Sequence, residues 1–432
     1  MSSAGASARR EVAPTQDDVQ VNHGAALRAG ARNRVLIIVE NLPCPFDRRV
    51  WQEARTLHAA GYIVSIICPK GPGCERSYEE VDGIAIHRHP QPFEASGALG
   101  YLAEYTWALL AEFWLSLKVL LVGRGFDVIQ ACNPPDTIFL IGGFYKLFGK
   151  KFIFDHHDIN PELYLAKFTR RDFFYRLLLA LERWTFRTAD VCIATNESYR
   201  RIALERGGVN PARVFVVRSG PDLSRLQLLP PTPDLKCGRR YLVGYVGVMG
   251  RQEGIDGLLT AVRHIVHTVG RTDIHFGLVG GGTSLEEAKK LARQLKIDEY
   301  VTFTGRVPDA ALLAMLNTAD ICVNPDVANE MNDKSTMNKI MEYMALGKPI
   351  VQYDLTEGRV SSQEASLYAQ RNDPIDLAEK MLTLLDDEPL RVRMGKLGRE
   401  RVRNVLSWEH EAPRLLAAYH AVHAQGAELA YE

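Results

Sequence analysis

The sequence predicts an α/β protein made of two facing Rossmann-like domains with a cleft between them. A length of 432 residues exceeds what one ordinary hydrophobic core holds. Short β-rich runs alternate with amphipathic segments, which is typical of βαβ units and parallel sheets. The alternation breaks once, over the proline-containing stretch 221–240, and then resumes. Ligands favour the crevice between two such domains, at the carboxyl ends of the strands.

The first domain is predicted over residues 33–220. Its apolar, β-branched runs predict strands at 35–40, 63–68, 84–88, 128–131, 152–155, 191–194 and 214–217. Helical patterns fill most of the intervals between them, as in 49–60, which ends at Gly61.

Residues 221–240 hold four prolines and predict an interdomain linker. The second domain is predicted over 241–405, and the segment 406–432 is predicted to be a C-terminal helix that packs back on the first domain. Predicted strands of the second domain lie at 241–246, 274–279, 301–303, 321–323 and 349–353. Predicted helices lie at 255–268, 285–295, 310–317, 336–345, 375–385, 389–405 and 408–423.

Composition narrows the function classes. Lys+Arg 52 balances Asp+Glu 52, which argues against a general nucleic-acid binder. The seven cysteines are dispersed without a CxxC pair, which disfavours a disulfide framework and a zinc site and favours a reducing compartment. Residues 1–32 lack the apolar core of a secretory signal and predict a disordered leader. The apolar segment 98–122 is long enough to span a bilayer, but Glu104, Glu112 and Lys118 favour a buried or surface-lying helix.

Three predicted strands of the second domain end in glycine loops. The loops contain Gly247, Gly250 and Gly254; then Gly280, Gly281 and Gly282; then Gly305, followed by Arg306 and Val307. Glycine lets backbone amides approach a phosphate closely, and the next helix presents its positive end. One such loop is as well explained by a turn that needs φ > 0, but three in one domain favour a nucleotide site. Neither G-x-G-x-x-G nor GxxxxGK[ST] is present, which disfavours dinucleotide oxidoreductases and P-loop enzymes.

The stretch from Ser335 to Lys348 predicts an amphipathic helix that Ser335 or Thr336 caps. Its polar face carries Asn338, Lys339 and Glu342. A nucleoside diphosphate would suit this arrangement, with its phosphates at the helix amino end and Glu342 accepting hydrogen bonds from the ribose hydroxyls. The alternative is that Lys339 and Glu342 form an exposed i,i+3 ion pair.

Several blocks, taken in order, resemble glycosyltransferase family 4, which comprises retaining enzymes of the GT-B fold. The matching stretches are PFDRRVWQEARTLHAAGYIVSIIC, FDHHDINPELY, ERWTFRTADVCIATNESYRR, YVGVMGRQEGIDGLLTAV, GLVGGGTSLEE, VTFTGRVPDAALLAMLNTADICVNP and KIMEYMALGKPIV. They span about residues 34 to 425. Chains of this kind usually assemble bacterial surface polysaccharides.

The resemblance implies roles for individual residues. Glu342 matches the second glutamate of the family's paired-glutamate motif and would hold the ribose. Gly250 matches the loop near the diphosphate, and Gly305, Arg306 and Val307 match the loop against the base. His157 and Asp158 match first-domain residues that face the transferred sugar.

Three positions depart from the family pattern. Lys334 stands where the first glutamate of the pair is expected, and Val248 and Glu253 stand where the family has an arginine and a lysine. A departing diphosphate develops charge that needs donors. We therefore expect Arg251 and Lys339 to supply the missing cations, with Lys334 as a further candidate.

The His156–His157–Asp158 run invites comparison with a metal site or a general base. Adjacent histidines on a strand point to opposite faces, which disfavours a shared metal. His157 at the strand end is the better cleft candidate, since a histidine can position or deprotonate an acceptor hydroxyl. Glu162 in the same loop is a second candidate.

Residues 167–187 carry one Lys and five Arg against two acids, a net charge of +4, with six interleaved aromatic residues. Such a segment is typical of a basic amphipathic helix on an anionic membrane surface, and 98–122 would support the same surface. The alternative is an ordinary packed helix with a solvated face.

These observations predict a retaining glycosyltransferase that needs no metal or other cofactor. It would move a sugar from a nucleoside-diphosphate-sugar to a hydroxyl of a saccharide or lipid-linked saccharide in polysaccharide biosynthesis. The expected location is cytoplasmic, with peripheral attachment to the inner face of the plasma membrane as an option, and no nucleic-acid partner is expected. The alternatives are a nucleotide-sugar epimerase or hydrolase and a non-catalytic sugar-nucleotide sensor or scaffold, the last favoured by the replaced family residues.

Overall fold

The structure is a computed structural model that describes residues 33–91 and 97–428. The strands of these residues are β1 (Arg34–Ile38), β2 (Ile63–Pro69), β3 (Tyr78–Val81), β4 (Ile84–His89), β5 (Val128–Cys132), β6 (Lys151–His156), β7 (Val191–Ala194), β8 (Val214–Val216), β9 (Tyr241–Val246), β10 (Ile274–Val279), β11 (Val301–Gly305), β12 (Ile321–Asn324), β13 (Ile350–Tyr353) and β14 (Ser366–Ala369). The helices are α1 (Arg48–Ala59), α2 (Gly97–Leu121), α3 (Phe139–Lys146), α4 (Asn160–Phe168), α5 (Phe173–Thr188), α6 (Glu197–Glu205), α7 (Ile255–Arg263), α8 (Leu285–Gln294), α9 (Asp309–Thr318), α10 (Glu330–Lys334), α11 (Asn338–Ala345), α12 (Thr356–Ser362), α13 (Pro374–Asp386), α14 (Glu388–Arg401) and α15 (Trp408–Glu428).

The strands form two sheets, each sandwiched between helices. The first sheet has the order β3-β4-β2-β1-β5-β6-β7-β8, parallel except for β3, which pairs with β4 in the antiparallel sense. The second sheet is parallel, with the order β11-β10-β9-β12-β13-β14. In a parallel sheet all carboxyl ends lie at one edge, so the residues that follow the strands gather there. The predicted pair of Rossmann-like domains is confirmed.

Residues after β8 cross to the second sheet and pack on it. Leu226 is buried in the second core, and Leu229 N donates to Asn317 Oδ1 (3.0 Å). The last helix, α15, returns to the first sheet, where Leu415 and Tyr419 enter the core beside α1 and β2. The chain therefore passes between the two domains twice, once after β8 and once before α15.

Most predicted strands differ from the observed ones by one or two residues at their ends. The short strands β3 and β14 were not predicted, because four residues at a sheet margin leave little periodic pattern. The predicted helix 255–268 is α7 followed by a π-helical turn over His264–Thr268. α2 occupies the apolar segment 98–122, and none of the helices in the described residues has the length and apolar character that spanning a bilayer requires. The predicted leader lies outside the described residues.

The prediction of a capped helix over 336–345 is wrong at its start. Ser335 ends the short helix α10, and α11 begins only at Asn338. Its N-cap is Met337, whose side chain accepts no hydrogen bond, so neither Ser335 nor Thr336 caps it. The reason is that Ser335 Oγ donates to Met331 O (2.8 Å) in the preceding turn instead.

Candidate functional site

The three glycine loops meet at the carboxyl ends of β9, β10 and β11. Gly247 N donates to Val279 O (3.1 Å), and Gly280 N donates to Gly305 O (3.0 Å). The first loop therefore lies against the second, and the second lies against the third. All three predicted loops therefore lie together at one edge of the second sheet, in contact through their backbones.

Different structural features explain why glycine occurs at different positions of these loops. Gly282 has φ +156, and a Cβ there would lie 2.5 Å from Met249 O, so the close approach of two backbones already requires glycine. Gly305 has φ +67, but a Cβ there would meet nothing within 4 Å. Gly305 thus borders open space, whereas Gly282 is held by packing.

The loop after β9 closes on an acidic side chain. Gly250 N donates to Glu253 Oε2 (3.0 Å), and burial raises the pKa of Glu253. Glu253 stands where the family has a lysine, and here it caps the loop instead of contributing a cation. Arg251 is exposed, and no ion pair within the described residues holds it.

Lys339 places its ammonium beside this loop. Its Nζ lies 2.7 Å from Asp326 Oδ1 and 5.0 Å from the centre of the Tyr245 ring, and a Cβ on Gly247 would lie 3.5 Å from it. Burial alone would lower the Lys339 pKa, but the Asp326 carboxylate more than offsets this, so the pKa is raised and the side chain is charged. The alternative interpretation, an exposed ion pair between Lys339 and Glu342, is wrong, since each side chain pairs with other residues.

Glu342 is instead held by two arginines. Its Oε1 accepts from Arg48 Nη1 (3.0 Å) and from Arg225 Nη2. Asp309 accepts from the same two side chains, Arg48 Nη2 at 2.9 Å and Arg225 Nη1 at 3.2 Å. We call these four residues the arginine–carboxylate ring. It joins α1 of the first domain, the connecting segment, and helices α9 and α11.

The residues before α11 contact the first domain. Ser335 Oγ lies 3.1 Å from Tyr199 Oη, and Asn196 Nδ2 donates to Thr336 Oγ1 (3.0 Å). Asn338, the first residue of α11, is exposed. The segment predicted to meet the phosphates therefore lies at the boundary between the domains.

Lys334 pairs with a carboxylate of the other domain. Its Nζ lies 3.1 Å from Glu162 Oε1 and 2.9 Å from Glu330 Oε1. Burial lowers and the two carboxylates raise the Lys334 pKa, with a net rise. Glu162 also accepts from Arg206 at 2.8 and 3.1 Å. Burial alone would raise the Glu162 pKa, but these cations lower it, so Glu162 is charged.

The loop after β11 faces an aromatic ring of the first domain. Arg306 is exposed, and its guanidinium lies 5.7 Å from the centre of the Phe46 ring. Val307 packs against the second core. The predicted base loop is thus open on its Arg306 side and anchored at Val307.

His157 and Asp158 follow β6 at the same edge of the first sheet. Asn133 Oδ1 accepts from both backbone amides, at 2.8 and 3.1 Å. His157 Nε2 lies 2.8 Å from Asp155 Oδ2 and 3.0 Å from Arg49 Nε. Burial alone lowers the His157 pKa, but the Asp155 carboxylate raises it above its usual value. Burial raises the pKa of Asp158.

Behind His157 lies a buried charged network. Arg49 donates to Asp155 Oδ1 (2.9 Å) and lies 3.1 Å from Glu53 Oε1. Gln130 Nε2 donates to Glu53 Oε2 (2.6 Å) and to Asp155 Oδ2 (2.9 Å), and Tyr419 donates to Gln130 Oε1 (2.6 Å). Arg49, Glu53, Asp155, Gln130 and Tyr419 are here called the buried network, and they tie α1 and α15 to the first sheet.

Cys132, Asp155 and His157 present ligand atoms within 4.8 Å of one another, a spacing that could hold a metal ion. The Arg49 guanidinium contacts two of the three, Asp155 and His157. The Arg49 guanidinium therefore already supplies the positive charge that a metal ion would bring to these three residues. His156 faces the other side, among the rings of Phe186 and Tyr199, as the strand alternation predicts.

Four residues of the site carry no signal in the sequence that marks them as functional: Arg48, Arg225, Asp309 and Asp326. The block PFDRRVWQEA includes Arg48, but an arginine at a helix start has no periodic signature that reveals its partner. The partners of Arg48, Arg225 and Asp309 lie 84 to 294 positions away along the chain, so only the fold brings them together, whereas Asp326 lies 13 positions from its partner Lys339.

Two family models match the chain. The model described as Glycosyltransferase Family 4 matches residues 47–225, and the model described as Glycosyl transferases group 1 matches residues 240–387. The first match covers the domain of His157, and the second covers the domain of Glu342.

Named relatives align along much of the chain. The 2-deoxystreptamine glucosyltransferase of Streptomyces kanamyceticus is 24% identical over 87% of this chain and 98% of its own length. The phosphatidyl-myo-inositol mannosyltransferase of Mycobacterium leprae is 26% identical over 90% of this chain and 96% of its own. The D-inositol 3-phosphate glycosyltransferase of Corynebacterium efficiens is 27% identical over 54% of this chain. In that case the match spans only 56% of the relative's length.

Solved structures share the fold. Sucrose-phosphate synthase from Thermosynechococcus elongatus superposes with a TM-score of 0.73 at 20% identity, over 91% of this chain and all of that one (100%). The HepE protein of Anabaena, in complex with UDP-glucose, superposes with a TM-score of 0.67 at 14% identity, over 90% and 99% of the two chains. The adjoining family matches, the relatives along nearly the whole chain and this shared architecture establish that the chain belongs to the family 4-like glycosyltransferases and has the GT-B fold.

Proposed function

We propose that this protein transfers a sugar from a nucleoside-diphosphate-sugar to a hydroxyl of a saccharide or lipid-linked saccharide, with retention of the anomeric configuration. One observation carries the proposal: consecutive arginines at the start of α1 join the two sides of the cleft. Arg48 binds Glu342 on the donor side, and Arg49 binds His157 on the acceptor side. The reacting centre then lies between Glu342 and His157.

The donor occupies the edge of the second sheet. The diphosphate lies against the Gly247–Gly250 loop and the amino end of α11, where backbone amides and the helix dipole favour an anion. Glu342 accepts hydrogen bonds from the ribose hydroxyls, and the Gly305–Val307 loop borders the base. The shared fold with HepE, whose structure is in complex with UDP-glucose, supports a nucleotide-sugar as the donor.

The leaving diphosphate needs positive charge. Lys339 already holds an ammonium beside the Gly247 loop, and Arg251 is exposed on the same loop. These two side chains replace the arginine and lysine that the family has at 248 and 253. Because side-chain cations serve the phosphates, the reaction needs no metal, and a chelator leaves turnover unchanged.

Retention places the incoming and outgoing bonds on one face of the sugar. The acceptor oxygen bonds to the anomeric carbon as the bond from that carbon to the phosphate oxygen breaks, and the departing phosphate oxygen takes the hydroxyl proton. His157, fixed by Asp155 and Arg49, positions the acceptor hydroxyl and need not be a strong base. Contacts such as Asn196 with Thr336 bring the domains together and exclude water, which limits hydrolysis.

Product analysis by NMR tests the reaction. The protein is incubated with UDP- and GDP-sugars and a panel of saccharide and lipid-linked acceptors. We expect a new glycosidic linkage with the donor's anomeric configuration, a reduced rate in Lys339→Met, and an unchanged rate in the exposed α8 control Lys290→Met. Free sugar or an epimer as the product would instead identify a hydrolase or an epimerase. Nucleotide binding without diphosphate release on any acceptor would identify a sensor.

The acceptor side also carries a surface suited to a membrane. Apolar side chains on α2, α3 and α5 are exposed, among them Trp114 at 70%, Phe148 at 64% and Phe173 at 71%. The helices are neighbours, since Phe113 contacts Phe144 (5.0 Å between ring centres) and Phe139 contacts Trp184 (5.8 Å). The exposed side chains of this apolar face are Trp107, Leu110, Trp114, Leu140, Leu147, Phe148, Phe173 and Trp184.

Exposed cations border this apolar face. All six basic residues of 167–187 are exposed: Lys167, Arg170, Arg171, Arg176, Arg183 and Arg187. Aromatic and aliphatic side chains next to exposed cations fit the headgroup region of an anionic bilayer. We assign this face to peripheral attachment that brings a lipid-linked acceptor to His157.

Vesicle flotation tests the attachment. The protein is expected to float with vesicles that contain anionic phospholipid and to remain in solution with neutral phosphatidylcholine. Leu110→Glu combined with Trp114→Glu is expected to abolish flotation, whereas Val392→Glu on the exposed face of α14 leaves it intact. Equal recovery of all proteins in the soluble fraction would contradict the assignment.

A further inference from the structure

The arginine–carboxylate ring holds more positive charge than Glu342 needs in order to bind a ribose. Two guanidinium groups, Arg48 and Arg225, converge on the single oxygen Glu342 Oε1. A carboxylate that serves only to accept hydroxyl hydrogen bonds has no need of two cations. A further role for the two arginines rests on the proposed function, in which Glu342 binds the donor ribose.

Arg48 occupies a position that local structure does not favour. It is the first residue of α1, directly after the N-cap Asp47, whose side chain accepts from Val50 N (3.0 Å). A helix amino end carries partial positive charge, so a cation there is destabilised and an acid is preferred. The first turn of α1 contains no acidic residue. The guanidinium is therefore directed across the cleft without any benefit to its own helix.

Arg225 is fixed from both sides along the chain. Ser224 N donates to Asp222 Oδ1 (2.8 Å), which forms a turn just before it, and Leu226 just after it is 5% exposed in the second core. The backbone of Arg225 is thereby anchored to the donor domain. Only its side chain is free to exchange partners.

The ring is open to water on its Arg48–Asp309 side and mostly buried on its Arg225–Glu342 side, where the two side chains are 22% and 14% exposed. The side chains of Arg48 and Asp309 are 50% and 49% exposed. Ion pairs open to water contribute little to stability, so a ligand with a stronger claim on either charge displaces them. Ribose hydroxyls compete with the guanidinium groups for Glu342, and phosphate oxygens compete with Glu342 for the guanidinium groups, to which they bind in a two-pronged geometry.

The same first-domain loop makes a second contact with the donor domain. Phe46 lies two residues before Arg48, and its ring faces Arg306 of the base loop at 5.7 Å. The loop thus spans the donor site from the base side to Glu342. A cation on it lies within side-chain reach of a phosphate joined to the ribose.

From these contacts we infer that Arg48 and Arg225 are diphosphate ligands. In the unliganded protein they neutralise Glu342 and Asp309. As the donor binds, Glu342 exchanges them for the ribose hydroxyls, and both guanidinium groups turn to the phosphate oxygens. Because Arg48 belongs to the first domain, the diphosphate is gripped from both domains and its arrival holds the cleft closed.

Calorimetric titration with UDP and GDP, compared with uridine and guanosine, tests this inference. Arg48→Gln and Arg225→Gln are each expected to weaken the binding of the diphosphate about 10- to 100-fold, the loss of one hydrogen bond to a charged group. The free nucleosides, which lack phosphates, are expected to bind the variants at least as tightly as they bind the wild type. The matched control is Arg55→Gln, since Arg55 is an exposed arginine on the same helix.

Two results would overturn the inference. If both arginine variants bind the diphosphates as tightly as the wild type, these side chains do not touch phosphate. If they bind more tightly, the arginines obstruct Glu342 and act as a latch. Failure of the proposed function is distinguishable: then the wild type binds neither diphosphate, or Glu342→Gln leaves nucleoside binding unchanged.

Discussion

The two domains build their sides of the cleft by different means. The side proposed to bind the donor is held by the main chain, since neighbouring glycine loops hydrogen-bond to each other, as Gly247 N does to Val279 O. The side proposed to bind the acceptor is held by the buried network, in which Arg49 lies among carboxylates with side chains 0% exposed. Backbone amides of the glycine loops can bind phosphates directly, whereas the buried network fixes one side chain, His157, in place.

This difference teaches where each side is vulnerable. The buried network concentrates its stability in one cation, because removal of that cation leaves charges without compensation. The stability of the glycine loops depends most on the positions where two backbones touch. Substitutions on the two sides should therefore differ in size and in what they spare.

The largest effect is expected at Arg49. Arg49→Met leaves Asp155 and Glu53 buried without their cation and should lower the free energy of unfolding by about 3–5 kcal/mol. The exposed control Arg55→Met should change it by no more than about 0.5 kcal/mol. Urea unfolding of both variants measures the difference. A loss below about 1 kcal/mol at Arg49 would mean that the network is not what holds this wall.

A pH-dependent effect is expected next, at Glu40 just beyond β1. Glu40 is 4% exposed, and burial, with a smaller contribution from Glu104, raises its pKa to about 8. The folded state keeps a proton that the unfolded state loses above its ordinary pKa of 4.5, so this group costs stability progressively as the pH rises from about 4.5 to 8. Glu40→Gln should stabilise the protein by about 2–4 kcal/mol at pH 8 and by almost nothing at pH 4.

Unfolding curves at pH 4, 6 and 8 check this expectation. The matched control is Glu205→Gln, an exposed glutamate of α6 whose substitution should leave the pH slope unchanged. An identical pH dependence of the wild type and Glu40→Gln would show that the Glu40 carboxyl is solvated in solution.

The smallest effect is expected on the donor side. Gly282→Ala forces a Cβ to 2.5 Å from Met249 O at φ +156 and should cost about 1–3 kcal/mol. Gly281→Ala, one residue earlier, meets its nearest atom at 3.9 Å and should be tolerated within about 0.5 kcal/mol. Thermal unfolding of the two variants shows whether the backbone contact at Gly282, and not simply the presence of glycine in the loop, determines the loss of stability. Equal losses in both variants would contradict the backbone account.

Most strands of the two sheets were predictable, although β3 and β14 were not, because parallel strands are buried on both faces and form apolar runs, as in Tyr241–Val246. The Glu342 helix was predictable from its apolar face. Its start was not, because Ser335 hydrogen-bonds backwards into α10 and leaves Met337 as the cap. A local side-chain choice of this kind leaves no mark in the periodicity.

The partners of the site residues were beyond the sequence. Arg48 is separated from Glu342 by 294 positions and from Asp309 by 261. Lys334 departs from the family motif, and only the fold shows that Glu162 of the other domain pairs with it. Patterns reveal which residues share a helix face, whereas ion pairs between domains depend on how the two sheets meet.

A crystal structure with UDP or GDP bound would test whether α11 receives a nucleoside diphosphate. We predict nucleotide density along the glycine loops, with the ribose hydroxyls on Glu342, the phosphates near Lys339, and Arg48 and Arg225 turned from Glu342 to the phosphates. Nucleotide density elsewhere, or Glu342 still bound to both arginines beside an occupied site, would contradict the account.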